Sequence, residues 1–356
     1  KGSAVCDGNS TDAEGQPHRW VYGALNNFGG NVGLFGRVRR IASSLSKAIA
    51  CAKDNNLVGI GLLPEGIENN PVLFDMVCDY AWSDGAVHSC ADSWLEGYIA
   101  SRYGLVRGSR EHELAMDAWR VIFSGIYDCD DERQQGTTES VMMMRPGAEP
   151  ASVSAWASSS WYWDRAELRR AAGTLASLAP RLSSNANFRY DIVDITRQCL
   201  ADRAYELLAA TPKAKDMSAH FLRLIGLQDS LLSTHPSFRL STWLEMARKH
   251  GSDAAESDFY ERSARLLITT WGGREASEDG ELHDYANREW SGLLSAFYAQ
   301  RWRRYFDASP DTIDWFGECE YPFVEGRSVP YGAFRDSLSA DAVDTACRTL
   351  VMLDSL

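Results

Sequence analysis

The chain contains no Cys-x-x-Cys pair, no His-Glu-x-x-His and no Gly-x-x-x-x-Gly-Lys-Ser/Thr. Zinc ribbons, zincin-type hydrolysis and P-loop phosphate binding are therefore not indicated, and neither a metal nor a cofactor is expected. Basic residues are the minority, 36 Lys and Arg against 49 Asp and Glu, for a net charge of -13. That balance repels a phosphate backbone, so nucleic acid is excluded as a partner. The densest basic cluster, Arg301, Arg303 and Arg304 around Trp302, is short and reads as a solvated helix face. No apolar run is long enough for a membrane span. Eight cysteines permit disulfides in an oxidising compartment without requiring them. The opening Lys1-Gly2-Ser3, without Met or a signal-like segment, reads as a processed or excised piece, and Asn9-Ser10-Thr11 is a single glycosylation sequon.

Aromatic residues are plentiful instead, with 12 tryptophans that can fill helical cores or stack on sugar rings. The organising stretch is Asn56 to Ile67, a short apolar run ending in Pro64-Glu65-Gly66. It reads as a strand buried on both faces, as in α/β sheets and barrels. The loop after the C-terminal end of such a strand is where chemistry collects, and Glu65 stands there, set by Pro64 before it and Gly66 after it. A helix cap or a solvated glutamate is the plain alternative. His18 to Leu25 reads as an earlier buried strand. It leads into Asn26-Asn27-Phe28-Gly29-Gly30-Asn31-Val32-Gly33-Leu34-Phe35-Gly36, where four glycines and three asparagines allow backbone amides to approach a ligand, or form an ordinary long turn. With an amphipathic helix at 37–54 between the strands, this is a βαβ unit. Two strands do not close a barrel, so part of that fold is expected outside this chain.

From about residue 68 the pattern is helix after helix, at 71–80, 90–103, 111–127, 164–178 (stopped by Pro180), 188–210, 215–233, 239–250, 253–270, 285–306 and 340–353. The fold class is thus α/β plus all-α. Trp271-Gly272-Gly273 ends one helix and Leu282-His283-Asp284-Tyr285 restarts another, so a polar loop lies between two aromatic lips.

These pieces, in order, resemble the α-N-acetylglucosaminidases of glycoside hydrolase family 89. The resemblance is carried by Leu25 to Asn31 with Gly33-Leu34-Phe35-Gly36, by Pro64-Glu65-Gly66-Ile67 with Asn69, and by Phe188-Arg189-Tyr190-Asp191 with Asp194, Thr196, Arg197 and Gln198. Trp243-Leu244-Glu245, Asp258 to Glu261, Trp271-Gly272, Asp284 to Asn287 and Trp302 support it. It implies that residues 1–105 are the last strands of a (β/α)8 barrel and 106–356 a large α-helical domain packed at its mouth, and it implies retaining exo-hydrolysis of a glycan with terminal α-linked N-acetylglucosamine. On the same basis Glu65 is the nucleophile, Leu25 and Phe28 line the sugar pocket from the barrel, and Trp271, Leu282 and Tyr285 reach it from the helical domain. A secreted or lysosome-like location is implied by the family alone.

Two departures weaken polar recognition. Val32 stands where the family commonly has His, and Phe74 where it has a pocket Tyr. The acid/base glutamate of the family belongs to an earlier strand with no counterpart here, so an upstream barrel segment or companion chain is an expected partner. By itself the chain is expected to lack useful turnover. The alternative is a degenerate, non-catalytic member serving as a carbohydrate-binding or scaffold module.

Overall fold

The computed structural model describes residues 18–52, 56–66, 69–83, 91–134, 136–147, 153, 154, 156, 158, 161–210, 215–334 and 340–353. The sequon, Cys6, Cys90 and Ile67 lie outside the described residues. Two parallel strands, β1 (Trp20–Asn26) and β2 (Leu57–Pro64), pair in register from Val21 opposite Gly59 to Asn26 opposite Pro64. They are joined by α1 (Val38–Ala50), and α2 (Pro71–Trp82) follows β2. The crossover sets the β1–β2 pair parallel and carries the end of each strand to the same edge.

Neither strand is buried on both faces, contrary to the expectation from their apolar runs. Tyr22 turns toward α1, where its hydroxyl meets Ser44 Oγ at 2.7 Å. Val21, Leu25 and Leu63 are 57%, 45% and 54% exposed. Among the described residues only one face of the pair carries a helical layer, and two strands cannot cover their own second face.

The helical part consists of α3 (Ala91–Tyr103), α4 (Arg110–Ser124), α5 (Arg165–Ala176), α6 (Ala186–Ala210), α7 (Lys215–Leu232), α8 (Leu240–Arg248), α9 (Ala254–Leu267), α10 (Ala299–Asp307) and α11 (Ala342–Leu353). Their starts are written in side chains. Ser109 Oγ accepts from His112 N–H at 3.2 Å, Asp164 Oδ1 from Ala166 and Glu167 N–H at 2.8 and 3.0 Å, and Asp253 Oδ1 from Glu256 N–H at 2.9 Å. Each satisfies donors that the first turn leaves orphaned. Pro180 does not simply end a helix: it opens a separate turn, Ala179–Leu182, where its missing N–H is no loss.

One apolar cluster runs from Ala24 and Val38 through Trp94, Phe123 and Phe188 to Trp302 and Leu353, so the βαβ unit and the helices share a core. Trp302, 1% exposed, packs on Phe221 with ring centroids 4.2 Å apart. Its indole N–H donates to the Met142 carbonyl at 3.0 Å, as a buried Trp must do to avoid an unpaired donor.

The expected helix at 285–306 begins later. Residues 287–290 are non-helical and Ser291 bridges to Arg239, after which a π-helical turn, Leu294–Tyr298, runs into α10. The apolar spacing after 293 is helical as expected. Asp284 has φ 55°, and Asn287 and Glu289 point inward to hydrogen-bond partners, which a continuous helix would not permit. Arg301 is the second correction. It is fully buried, bonding Asp284 at 2.8 Å and Glu320 at 2.6 Å, and only Arg303 of that cluster is exposed.

Candidate active site

Glu65 leaves the end of β2 beside the glycine loop that leaves the end of β1. Its Oε2 accepts two hydrogen bonds, from the Gly29 backbone N–H and from the Tyr285 hydroxyl, both at 2.6 Å. Among the described residues Oε1 makes no hydrogen bond, and the side chain is exposed. The glycine loop must be glycine to come this close. Gly29 has φ 65°, and a Cβ there would lie 2.0 Å from the Tyr285 carbonyl oxygen. Gly30 has φ 74°, and a Cβ would meet the Arg288 guanidinium at 2.4 Å and the Glu65 carbonyl at 2.9 Å.

The segments noted in the sequence around this point hold the loop in place. Asn69 Nδ2 donates to the carbonyls of Gly30 and Asn31, at 3.4 and 3.3 Å. Asn70, itself at φ 46°, accepts from Phe35 N–H and donates to the Gly33 carbonyl. From α6, Arg197 is fully buried and bonds the Val32 carbonyl at 2.9 Å, Asp194 at 2.9 Å and Glu289 at 2.5 Å. Its neighbour Gln198 accepts from Leu34 N–H at 3.1 Å. Burial pushes the Asp194 carboxyl up to about 6, and the adjacent Arg197 works against that rise.

A cavity of about 500 Å³ opens beside Glu65, lined from the β-strand end by Gly29, Val32, Pro64 and Gly66, and from the helical part by Trp243, Met246, Leu267, Trp271, Tyr285 and Arg288. Trp271 and Tyr285 stand edge to face, with centroids 5.7 Å apart and planes at 87°. Trp271 follows the end of α9 at φ 60°, a strained value for a bulky residue. Its N–H reaches back to the Leu266 carbonyl at 2.9 Å, which closes the helix end. Burial first, and then the Glu65 hydrogen bond, push the Tyr285 phenol up to about 12, so it stays a donor across the ordinary pH range.

Glu65, Trp271 and Tyr285 are thus brought together as the sequence suggested. Leu25, Phe28, Phe74 and Leu282 do not line this cavity. Leu25 is on the open face of β1, Phe28 is half-buried beside Gly136, Phe74 is half-buried on α2, and Leu282 is 37% exposed. Val32 is buried at the cavity wall.

Sequence reasoning missed Arg288. This guanidinium is 8% exposed, donates to the carbonyls of Ala286 at 2.8 Å and Asn287 at 2.9 Å, and lies over the Trp290 ring. Burial lowers it to about 10, and the charge of Glu65 partly offsets that fall. The expected helix through 285–306 hid it, because a helical Arg288 would have counted as surface. Among the described residues no cluster could hold a metal ion, and Cys51, Cys78, Cys129, Cys199, Cys319 and Cys347 are free thiols.

A carboxylate at the C-terminal end of a parallel strand, walled by aromatic rings from an appended helical domain, is half of the arrangement that glycoside hydrolases use. Residues 94–318 match the family model described as the Alpha-N-acetylglucosaminidase C-terminal domain, and residues 8–84 match its TIM-barrel domain. The chain belongs to the α-N-acetylglucosaminidase family, glycoside hydrolase family 89. It is 32% identical over 311 residues to human Alpha-N-acetylglucosaminidase, covering 84% of this chain and 39% of that protein. It is similar to a Clostridium perfringens member in complex with GlcNAc-alpha-1,4-galactose, with a TM-score of 0.83 and 32% identity over 92% of this chain and 38% of that one. The same bacterial hydrolase in complex with 2-acetamido-1,2-dideoxynojirmycin gives a TM-score of 0.80, at 32% identity and the same coverage. The chain spans about two fifths of the length of these relatives. Its fold is the end of a (β/α)8 barrel followed by an all-α domain.

Proposed function

We propose that this chain is the C-terminal part of a retaining exo-acting α-N-acetylglucosaminidase, with Glu65 as its nucleophile. One observation carries the reading: Oε2 of Glu65 is held by two donors while Oε1 has no hydrogen bond among the described residues, beside a cavity walled by Trp271 and Tyr285. A carboxylate fixed through one oxygen presents the other in a set direction, which a nucleophile attacking an anomeric carbon requires. Tyr285 and the Gly29 amide orient it. The rings of Trp271 and Tyr285 offer apolar faces to the C–H surface of a pyranose. Leu25, Phe28, Phe74 and Leu282 belong to this reading as further sugar contacts completed by upstream structure.

Retention needs a second carboxyl roughly 5 to 5.5 Å away, protonated to release the aglycone. Among the described residues lining the cavity, Glu65 is the only carboxylate. The acid/base group therefore comes from an upstream barrel segment or a companion chain. We place the end of the barrel portion near residue 105, with 106–356 as the helical domain. The substrate is a glycan with a terminal α-linked N-acetylglucosamine, and the compartment is secreted or lysosome-like. Comparing hydrolysis of an aryl α-N-acetylglucosaminide by this polypeptide with and without upstream barrel sequence tests the reading. Turnover should appear only with it, and robust hydrolysis by the chain alone refutes the division of labour.

The lone carboxylate also favours a second reading, a non-catalytic sugar-binding or scaffold member. It predicts glycan binding with no turnover in either form.

A further inference from the structure

Glu139 lies in the irregular connector between α4 and α5 and is 5% exposed. Its Oε1 accepts from Asn31 Nδ2 at 2.5 Å and from Asn287 Nδ2 at 2.7 Å, and its Oε2 accepts from Ser154 N–H at 3.1 Å. The Ser154 hydroxyl lies 3.2 and 3.3 Å from the two oxygens. Asn31 and Asn287 each stand two places from a donor to Glu65, and Ser154 two places from a ring that packs on one of those donors. Asn31 follows Gly29, Asn287 follows Tyr285, and Ser154 precedes Trp156, whose ring is edge-on to Tyr285 with centroids 6.2 Å apart.

We propose that Glu139 is a positioning residue for Glu65, a single buried carboxyl that sets the glycine loop, the Tyr285 segment and the Trp156 segment relative to one another. The inference rests on the glycosidase reading above. Both donors to Glu65 converge on one oxygen, so a shift of either loop re-aims the other oxygen toward the cavity. Glu139 bonds both loops directly, at Asn31 and Asn287, each two residues from a donor to Glu65, whereas Arg197 also spans the loops but at Val32 and Glu289, farther along each.

Its proton state bears on the same geometry. Burial pushes the carboxyl up to about 7. The charged group facing it from the 282–292 segment is Asp284, which is itself paired with Arg301 at 2.8 Å. Among the described residues the Oδ1 atom of Asn31 is buried without a partner and its Nδ2 bonds Glu139 alone, so that amide turned end for end accepts from the protonated acid, while Asn287 is held by the Asp284 carbonyl. The two protonation states therefore hold the loops through different hydrogen bonds.

The test is Glu139→Gln in the full-length protein, with kcat and KM for an aryl α-N-acetylglucosaminide followed against pH. A kcat lower by roughly tenfold to a hundredfold, at a KM within about threefold, is expected, because misplacement of an attacking group costs turnover more than binding. The wild-type kcat profile should show an inflection near 7 that the variant lacks. Ser154→Ala removes the one hydroxyl proton shared between the two carboxyl oxygens without removing the carboxyl, and should lower kcat in the same direction by less. A folded Glu139→Gln protein with wild-type kcat and pH profile overturns the inference. Should that variant fail to fold, wild-type kcat in Ser154→Ala overturns it. Absence of turnover by the unsubstituted protein would instead sink the glycosidase reading.

Discussion

The Tyr285 hydroxyl donates to Oε2 of Glu65 at 2.6 Å across 220 residues of sequence, joining the helical domain to the end of a barrel strand through one hydrogen bond. A hydrogen bond to a charged group contributes about 1.5 to 3 kcal/mol, which corresponds to roughly a tenfold to hundredfold change in rate. Tyr285→Phe keeps the ring against Trp271 and removes only the donor. In the full-length protein its kcat is expected to fall by that factor while the melting temperature stays near wild type. An unchanged kcat would show that the contact does not serve catalysis.

Gly29→Ala attacks the other donor. The new Cβ would lie 2.0 Å from the Tyr285 carbonyl and the residue would keep a φ of 65° that alanine disfavours by about 1 to 2 kcal/mol. The loop must move away from Tyr285, so both donors to Glu65 are disturbed at once. Turnover should fall further than in Tyr285→Phe, with a lowered denaturation midpoint. Wild-type values of both would mean that the loop does not sit against Tyr285.

Arg301→Met tests the buried charge network under the Tyr285 segment. The guanidinium bonds Asp284 and Glu320, each fully buried, and Arg145 also reaches Glu320 at 2.8 Å. Removing one partner of a buried pair costs about 3 to 5 kcal/mol because the remaining charge is left uncompensated. Urea unfolding should show a loss of that size. A loss under about 1 kcal/mol, the scale of an exposed pair, would return Arg301 to the solvated face first expected of it.

Glu139 gives stability a pH dependence of known sign. Its folded carboxyl is raised to about 7 from an ordinary 4.5, so between those values the folded state binds the proton that the unfolded state has released. Stability from this group is therefore fully present at low pH, falls as pH rises through that window, and is level above it. Subtracting unfolding free energies of Glu139→Gln from those of wild type should expose this downward slope between about 4.5 and 7. A flat or rising difference would contradict the assignment.

Much of the fold was legible because local chemistry wrote it. Asp164, Asp253 and Ser109 cap their helices, Gly104 at φ 66° follows α3, and the periodicity of 215–233 and 253–270 survives as α7 and the slightly shorter α9. Glu65 and Trp271 stood out because each precedes a glycine at the end of a strand or helix, and Tyr285 because it stands on the far side of the same polar loop and matches the family. What stayed hidden was set by tertiary contacts. Arg301 has the composition of a surface residue, and only Asp284 and Glu320, distant in sequence, make its burial tolerable. Arg288 and Glu139 lie in stretches without period, where inward polar residues leave no pattern. The open faces of β1 and β2 could not be told from buried ones, since an apolar run does not say whether a neighbouring strand is present.

The central claim is that the Glu65 carboxylate attacks the sugar, and Glu65→Gln in the full-length protein tests it most directly. The measurement is kcat on an aryl α-N-acetylglucosaminide alongside the dissociation constant of 2-acetamido-1,2-dideoxynojirmycin. The account predicts that turnover drops by roughly a thousandfold or more while the inhibitor still binds. Turnover within about tenfold of wild type would contradict it, because an amide cannot take the carboxylate's place as the attacking group.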